Sequence, residues 1–121
     1  MTLAPKVLSA RERLEVDPDP PLSHEFVGIA MSTLGLQPIN GLRHPREGRG
    51  CGWFLWCGTE WSDADDFFSP MHVSCLNDTL PAAVPYLSLP PGYRFMVDDR
   101  GYEDVWADAA LLEIGKSDTD E

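Results

Sequence analysis

The hydrophobic positions of this chain fall in short runs, each broken by proline, glycine or acidic residues. No run approaches the roughly 20 apolar residues needed to cross a bilayer. The clearest run is CGWFLWCG at 51–58. Side chains of a strand alternate between faces, so Trp53, Leu55 and Cys57 share one side while Phe54 and Trp56 share the other. Both sides are apolar, which predicts a central strand covered on both faces.

The flanking runs give weaker signals. EFVGIAMSTL at 25–34 is apolar and β-branched enough for a strand. GLQPING reads as turn chemistry. LRHPREGRG at 42–50 begins as a strand that Pro45 either ends or confines to an edge. TEWSDADDFFSP at 59–70 reads as a loop, with Ser62 placed to cap a helical turn. MHVSC at 71–75 reads as a short strand. In 76–89, Asp78 or Thr79 is placed to cap a short helix with Pro81 in its first turn, and Leu80, Val84 and Leu87 would line its buried face. Pro85 predicts that this helix is short or kinked. YRFMV places Tyr93, Phe95 and Val97 on one face, and Gly101 is positioned to turn a hairpin into EDVWAD. Strands and short helices alternate without long crossover spacing. The expectation is a single-domain α+β fold with a mainly antiparallel sheet and short helices packed on it. Residues 1–24 read as an N-terminal arm, partly ordered, 25–115 as the folded domain and 116–121 as an acidic tail.

Charge changes this picture most. Residues 1–59 carry six acids and six bases. Residues 60–121 carry fourteen acids and three bases, so the whole net charge of −11 lies in the second half. Such a field repels nucleic acid and anionic lipid and speeds encounter with a basic partner. The acids cluster twice, as Glu60, Asp63, Asp65 and Asp66, and as Asp98, Asp99, Glu103 and Asp104. For any one of them a solvated acidic surface is the simple account. Beside Trp61, Phe67, Phe68, Tyr102 and Trp106, the clusters read together as a protein-binding face directed at a basic partner.

Catalytic and metal chemistry fits less well. Cys51, Cys57, His72 and Cys75 have the number and types of ligand for a structural zinc site. Six positions apart on an extended strand, Cys51 and Cys57 would be separated by about 20 Å. They read better as small hydrophobes in a core. There is no C-x-x-C redox pair, HEFVG lacks the second histidine of a zinc-protease helix, and GRGCG lacks the lysine of a phosphate loop. Three cysteines cannot all pair with one another, and no basic-then-apolar leader opens the sequence. Reduced thiols in the cytoplasm are therefore the expectation.

The stretch GCGWFLWCGTEWSDADDFFSPMHV, with Gly52-Trp53, a hydrophobic run, Gly58 and then an acidic, aromatic loop, resembles a bacterial immunity-protein family of polymorphic toxin systems. That family carries a G-W-x-F-x-x-G-type core. LPPGYRFMVDDRGYEDVWAD is similar to the family's closing segment, and IAMSTL followed by LRHPREG to its preceding strands. The resemblance spans about residues 27–114. It implies a small cytoplasmic protein without catalysis or cofactor that binds and neutralises a cognate toxin. On the present residues, Glu60, Trp61, Asp63, Asp65, Asp66, Asp98, Asp99, Tyr102, Glu103 and Asp104 would form the binding surface. The other classes that remain are a regulatory or scaffold module without a toxin partner, and a small Cys/His metal protein. Arg43, Arg46 and Arg49 do not fit an acidic surface, and pairing with the chain's own acids would account for them.

Overall fold

The structure is a computed structural model that describes residues 17–60, 62, 64 and 66–113. Its centre is one sheet of six strands: β1 (Phe26–Ile29), β2 (Ile39–Arg43), β3 (Gly50–Cys57), β4 (Ser69–His72), β5 (Tyr93–Val97) and β6 (Glu103–Ala107). Their order across the sheet is β4-β1-β3-β2-β5-β6. Only β1 and β3 pair in parallel, and the other four pairings are antiparallel. The helices are short: 3₁₀ turns at Met31–Thr33, Val73–Cys75, Pro81–Tyr86 and Ala109–Glu113, and one α-helical turn, α1 (Leu76–Thr79). The α+β fold expected from the pattern is the one observed.

The alternation along β3 builds the core. Cys51, Trp53, Leu55 and Cys57 point to one face and are fully buried. They pack with Ile29, Phe95 and Val97 from neighbouring strands and with Leu76, Leu80, Ala83, Tyr86, Leu87 and Leu89 from the helical segment above. Phe95 lies between Trp53 at 5.4 Å and Tyr86 at 4.8 Å, ring centre to ring centre. Pro81 opens its 3₁₀ segment, where a missing donor costs nothing, and Pro85 lies inside it near its end. On the other face Trp56 and Leu42 are covered by Phe67, Phe68 and Leu111.

Several readings of the sequence shift. The strand read at 25–34 spans only Phe26–Ile29, with a 3₁₀ turn at Met31–Thr33, and Leu80 rather than Asp78 or Thr79 stands at the N-cap before Pro81. GLQPING is not all turn: Ile39, Asn40 and Gly41 are the first residues of β2, a central strand between β3 and β5. Asn40 finds partners inside the sheet, and a side chain at Gly41 would overlap the Phe95 ring at 2.3 Å. The strand read at 71–75 starts earlier, at Ser69, and Val73–Cys75 turns into a 3₁₀ helix. Pro70 is accommodated because β4 is an edge strand.

The arginines are structural. Arg43 is buried completely. Its Nε donates to the Cys51 carbonyl at 3.0 Å, and Nη1 donates to the carbonyls of Asp19 and Leu89 at 2.6 and 2.8 Å. Arg46 pairs with Asp19 at 2.8 Å and with Glu25 at 2.9 Å. Together they fasten residues 19–25 to the sheet. Arg49 sits over the Phe26 ring.

Candidate functional site

The strand register brings distant segments to one end of the sheet. Ile39 pairs with Cys57 and with Val97, and Val97 pairs with Glu103. Ile29 pairs with Leu55 and with Ser69. The end of β3, the segment 30–38, the loop into β4 and the tip of the β5–β6 hairpin therefore all emerge together. Glu60 and Asp66 of the first acidic cluster and the acids of the second lie at this end, although roughly 40 residues separate the two clusters in sequence.

Gly58 is the corner where β3 ends. Its φ of +91° is a conformation that side-chain-bearing residues rarely adopt. The Gly58 N–H donates to the Pro38 carbonyl at 2.7 Å, and the Asn40 amide donates to the Gly58 carbonyl at 2.9 Å. Thr33 fixes the adjacent turn: its hydroxyl accepts from the Cys57 N–H and donates to the Ala30 carbonyl. The chain then leaves as Thr59 and Glu60, both exposed. It returns through Asp66, exposed, to Phe67 and Phe68, which anchor the loop. Phe68 meets Phe54 and Trp56 edge-on and so packs onto the sheet, while Phe67 stacks edge-on against Phe68 and lines the cleft beside Leu36. Trp61, Asp63 and Asp65 lie outside the described residues.

The hairpin tip separates its acids by role. One Asp98 carboxylate oxygen accepts the N–H groups of Arg100 and Tyr102 at 2.9 and 3.0 Å, which shapes the turn. Asp99 is exposed at the tip. Glu103 turns to the core face, where it accepts the Tyr86 hydroxyl at 2.7 Å. Burial and then this carboxylate push the Tyr86 phenol well above its ordinary range. Asp104 points to the opposite face and accepts the Tyr102 hydroxyl at 3.3 Å. Its charge raises the Tyr102 phenol above the ordinary tyrosine value. Trp106 faces the Arg94 guanidinium at 5.6 Å.

Two clefts flank Gln37. One, of about 410 Å³, is lined by Pro38, Met96, Asp98, Asp99 and Tyr102. The other, of about 440 Å³, lies between Thr33, Leu36, Gly58, Glu60 and Phe67. Met31 and Leu36 stand out of this end at 47% and 55% exposure, and Tyr102 stands out at 49%. The sequence reading missed Met31, Leu36 and Gln37. Met31 and Leu36 had looked like parts of a strand and a turn, and their exposure depends on the chain leaving β1 after only four residues.

The four metal-ligand candidates are spread through the fold. Cys51 and Cys57 are in the core, where burial raises both thiols. His72 stacks on Phe26 at 4.4 Å, and Cys75 is exposed. Among the described residues no three histidine, cysteine or acidic side chains gather as a metal site. Among them, too, no helix is long and apolar enough to cross a membrane.

This end of the sheet therefore carries exposed Met31, Leu36 and Tyr102 together with exposed carboxylates at Glu60, Asp66, Asp99 and Asp104. The family model of the Imm33-like domain matches residues 8–108, and the chain belongs to that family, an immunity-protein family. No curated protein and no solved structure matches the chain. The matched span begins inside the segment read as an arm. Its described part, from Asp17 onward, includes the Asp19 that Arg43 and Arg46 hold.

Proposed function

We propose that this chain is an immunity protein that binds a cognate, cytosol-acting toxin and neutralises it without catalysis, using the acidic end of the sheet. The observation that carries this reading is that Glu60, Asp66, Asp99 and Asp104 come to one end of the sheet, the end that also exposes Leu36 and Tyr102. Membership of an immunity-protein family supplies the class of partner. The acidic surround supplies its sign: a toxin that handles nucleic acid or another anionic substrate has a basic cleft, and carboxylates can occupy it in place of phosphates. Glu60, Trp61, Asp63, Asp65, Asp66, Asp99, Tyr102 and Asp104 make the contacts in this reading, while Asp98 and Glu103 shape and brace the hairpin. The complex forms in the cytoplasm, where the toxin acts.

The test is co-expression with the toxin encoded beside this chain's gene. Growth should be restored, and the two proteins should purify together. Continued toxicity with no co-purification would sink the proposal.

A further inference from the structure

We infer that the centre of the docking surface is the apolar segment around Leu36, and that the occupant is a toxin segment presenting a bulky apolar side chain flanked by lysine or arginine. This rests on the immunity reading above and adds a partner chemistry that the acidic clusters alone do not specify.

Three of the five large hydrophobic residues exposed among the described residues, Met31, Leu36 and Tyr102, occur at this one end of the sheet. Leu36 is held in place rather than loosely displayed. A Cβ on Gly58 would lie 3.1 Å from its Cδ1, so the glycine leaves room for Leu36 to lie over the corner. The cleft between Leu36, Thr33, Gly58 and Phe67 is about 440 Å³, large enough to admit a bulky side chain. Apolar walls reward an apolar insert, because water leaves both surfaces.

The rim selects the partner's charge. Glu60 borders this cleft and Asp99 stands across Gln37, with Asp66 further along the loop. Arg100 is the opposing charge on the hairpin tip. A second copy of this chain would bring Glu60 and Asp99 against their own equivalents, and like charges brought together across an interface are costly. A basic protein meets no such penalty. An exposed apolar anchor inside a charged surround is the arrangement in which a few central side chains carry most of the binding energy.

The experiment compares Leu36→Asp with Leu22→Asp. Leu22 is equally exposed, at 55%, and precedes β1 at the opposite end of the sheet. Neither side chain is buried, so circular dichroism and thermal melting should match wild type. Binding to the purified toxin encoded beside the gene is measured by calorimetry, and each chain alone is sized by sedimentation. The expected result is a monomer in each case, affinity reduced about tenfold or more by Leu36→Asp, and no change with Leu22→Asp. Unchanged affinity in Leu36→Asp beside a wild-type chain that binds would overturn this inference and leave the immunity reading standing. Equal losses in both variants would overturn it too. A wild-type dimer that Leu36→Asp dissolves would assign the patch to self-association, contrary to the proposal. A wild-type chain that does not bind the toxin removes the immunity reading, and this inference falls with it.

Discussion

Gln37 accepts the backbone N–H of Asp99 through its Oε1 at 3.1 Å, a contact spanning 62 positions of sequence. It fastens the hairpin tip to the segment carrying Leu36 and divides the sheet end into its two clefts. Neither acidic cluster makes a surface by itself. This hydrogen bond, with the corner at Gly58, sets the spacing between them.

That relationship gives a first prediction. Replacing Gln37 with Leu removes the acceptor while keeping the bulk. The bond is exposed, so stability should change by no more than about 0.5 kcal/mol. Toxin affinity should fall several-fold because the two acidic groups are no longer held in register. Thermal melting and calorimetry separate the two effects.

Neutralising Glu60, Asp66 and Asp99 together, as Gln, Asn and Asn, should slow association with a basic toxin about tenfold or more at low salt and leave the melting temperature nearly unchanged. Stopped-flow association rates at two ionic strengths check this. The difference from wild type should shrink as salt screens the pair.

Gly52 should be intolerant of any side chain. Its φ is +102°, and an added Cβ would overlap the His44 carbonyl oxygen, which lies 1.9 Å from that position. The clash falls where the His44 N–H donates to the Gly52 carbonyl at 2.9 Å. Gly52→Ala should cost about 3 kcal/mol or more, read by urea unfolding.

Arg43 should be equally exacting. Its partners are carbonyls, so Arg43→Met leaves buried acceptors at Cys51 and Leu89 without donors. The expected loss is about 3 kcal/mol or more, with Arg43→Lys recovering only part of it. Urea midpoints order the three chains.

Glu25 supplies the pH dependence. The Arg46 guanidinium holds its carboxyl below the ordinary glutamate value, against the opposing effect of burial. A carboxylate lowered by folding stabilises above its unfolded pKa, and that contribution is lost as pH falls through the lower, folded value. Partly exposed Arg46 is screened, so the pair is worth about 1–2 kcal/mol. Glu25→Gln should therefore destabilise at neutral pH and melt with a weaker acid dependence than wild type, as differential scanning calorimetry across the acid range would show.

Parts of this fold can be read directly from the sequence. The alternation of β3 and β5 leaves little choice, since Trp53, Leu55 and Phe95 have one face to occupy. The turn-like GLQPING misleads because asparagine and glycine serve two purposes. Asn40 satisfies carbonyls of the neighbouring strand and Gly41 makes room for a ring, and neither use has a local signature. At the site, composition reveals the acids but not their orientation. Asp98 is spent on its own turn and Glu103 on Tyr86, which only the register and the far side of the core determine. Leu36 is invisible to pattern reading because an exposed leucine in a glycine-proline segment looks incidental until the strands bring Gly58 beneath it and Asp99 against its neighbour Gln37.

Hydrogen–deuterium exchange of the free and toxin-bound chain decides whether this end of the sheet is the toxin-binding surface. Binding should slow exchange in residues 31–38, 58–62 and 98–102, with little change in 17–25 and 69–75. Protection confined to those latter segments, or none in a demonstrated complex at the first three, would contradict that assignment.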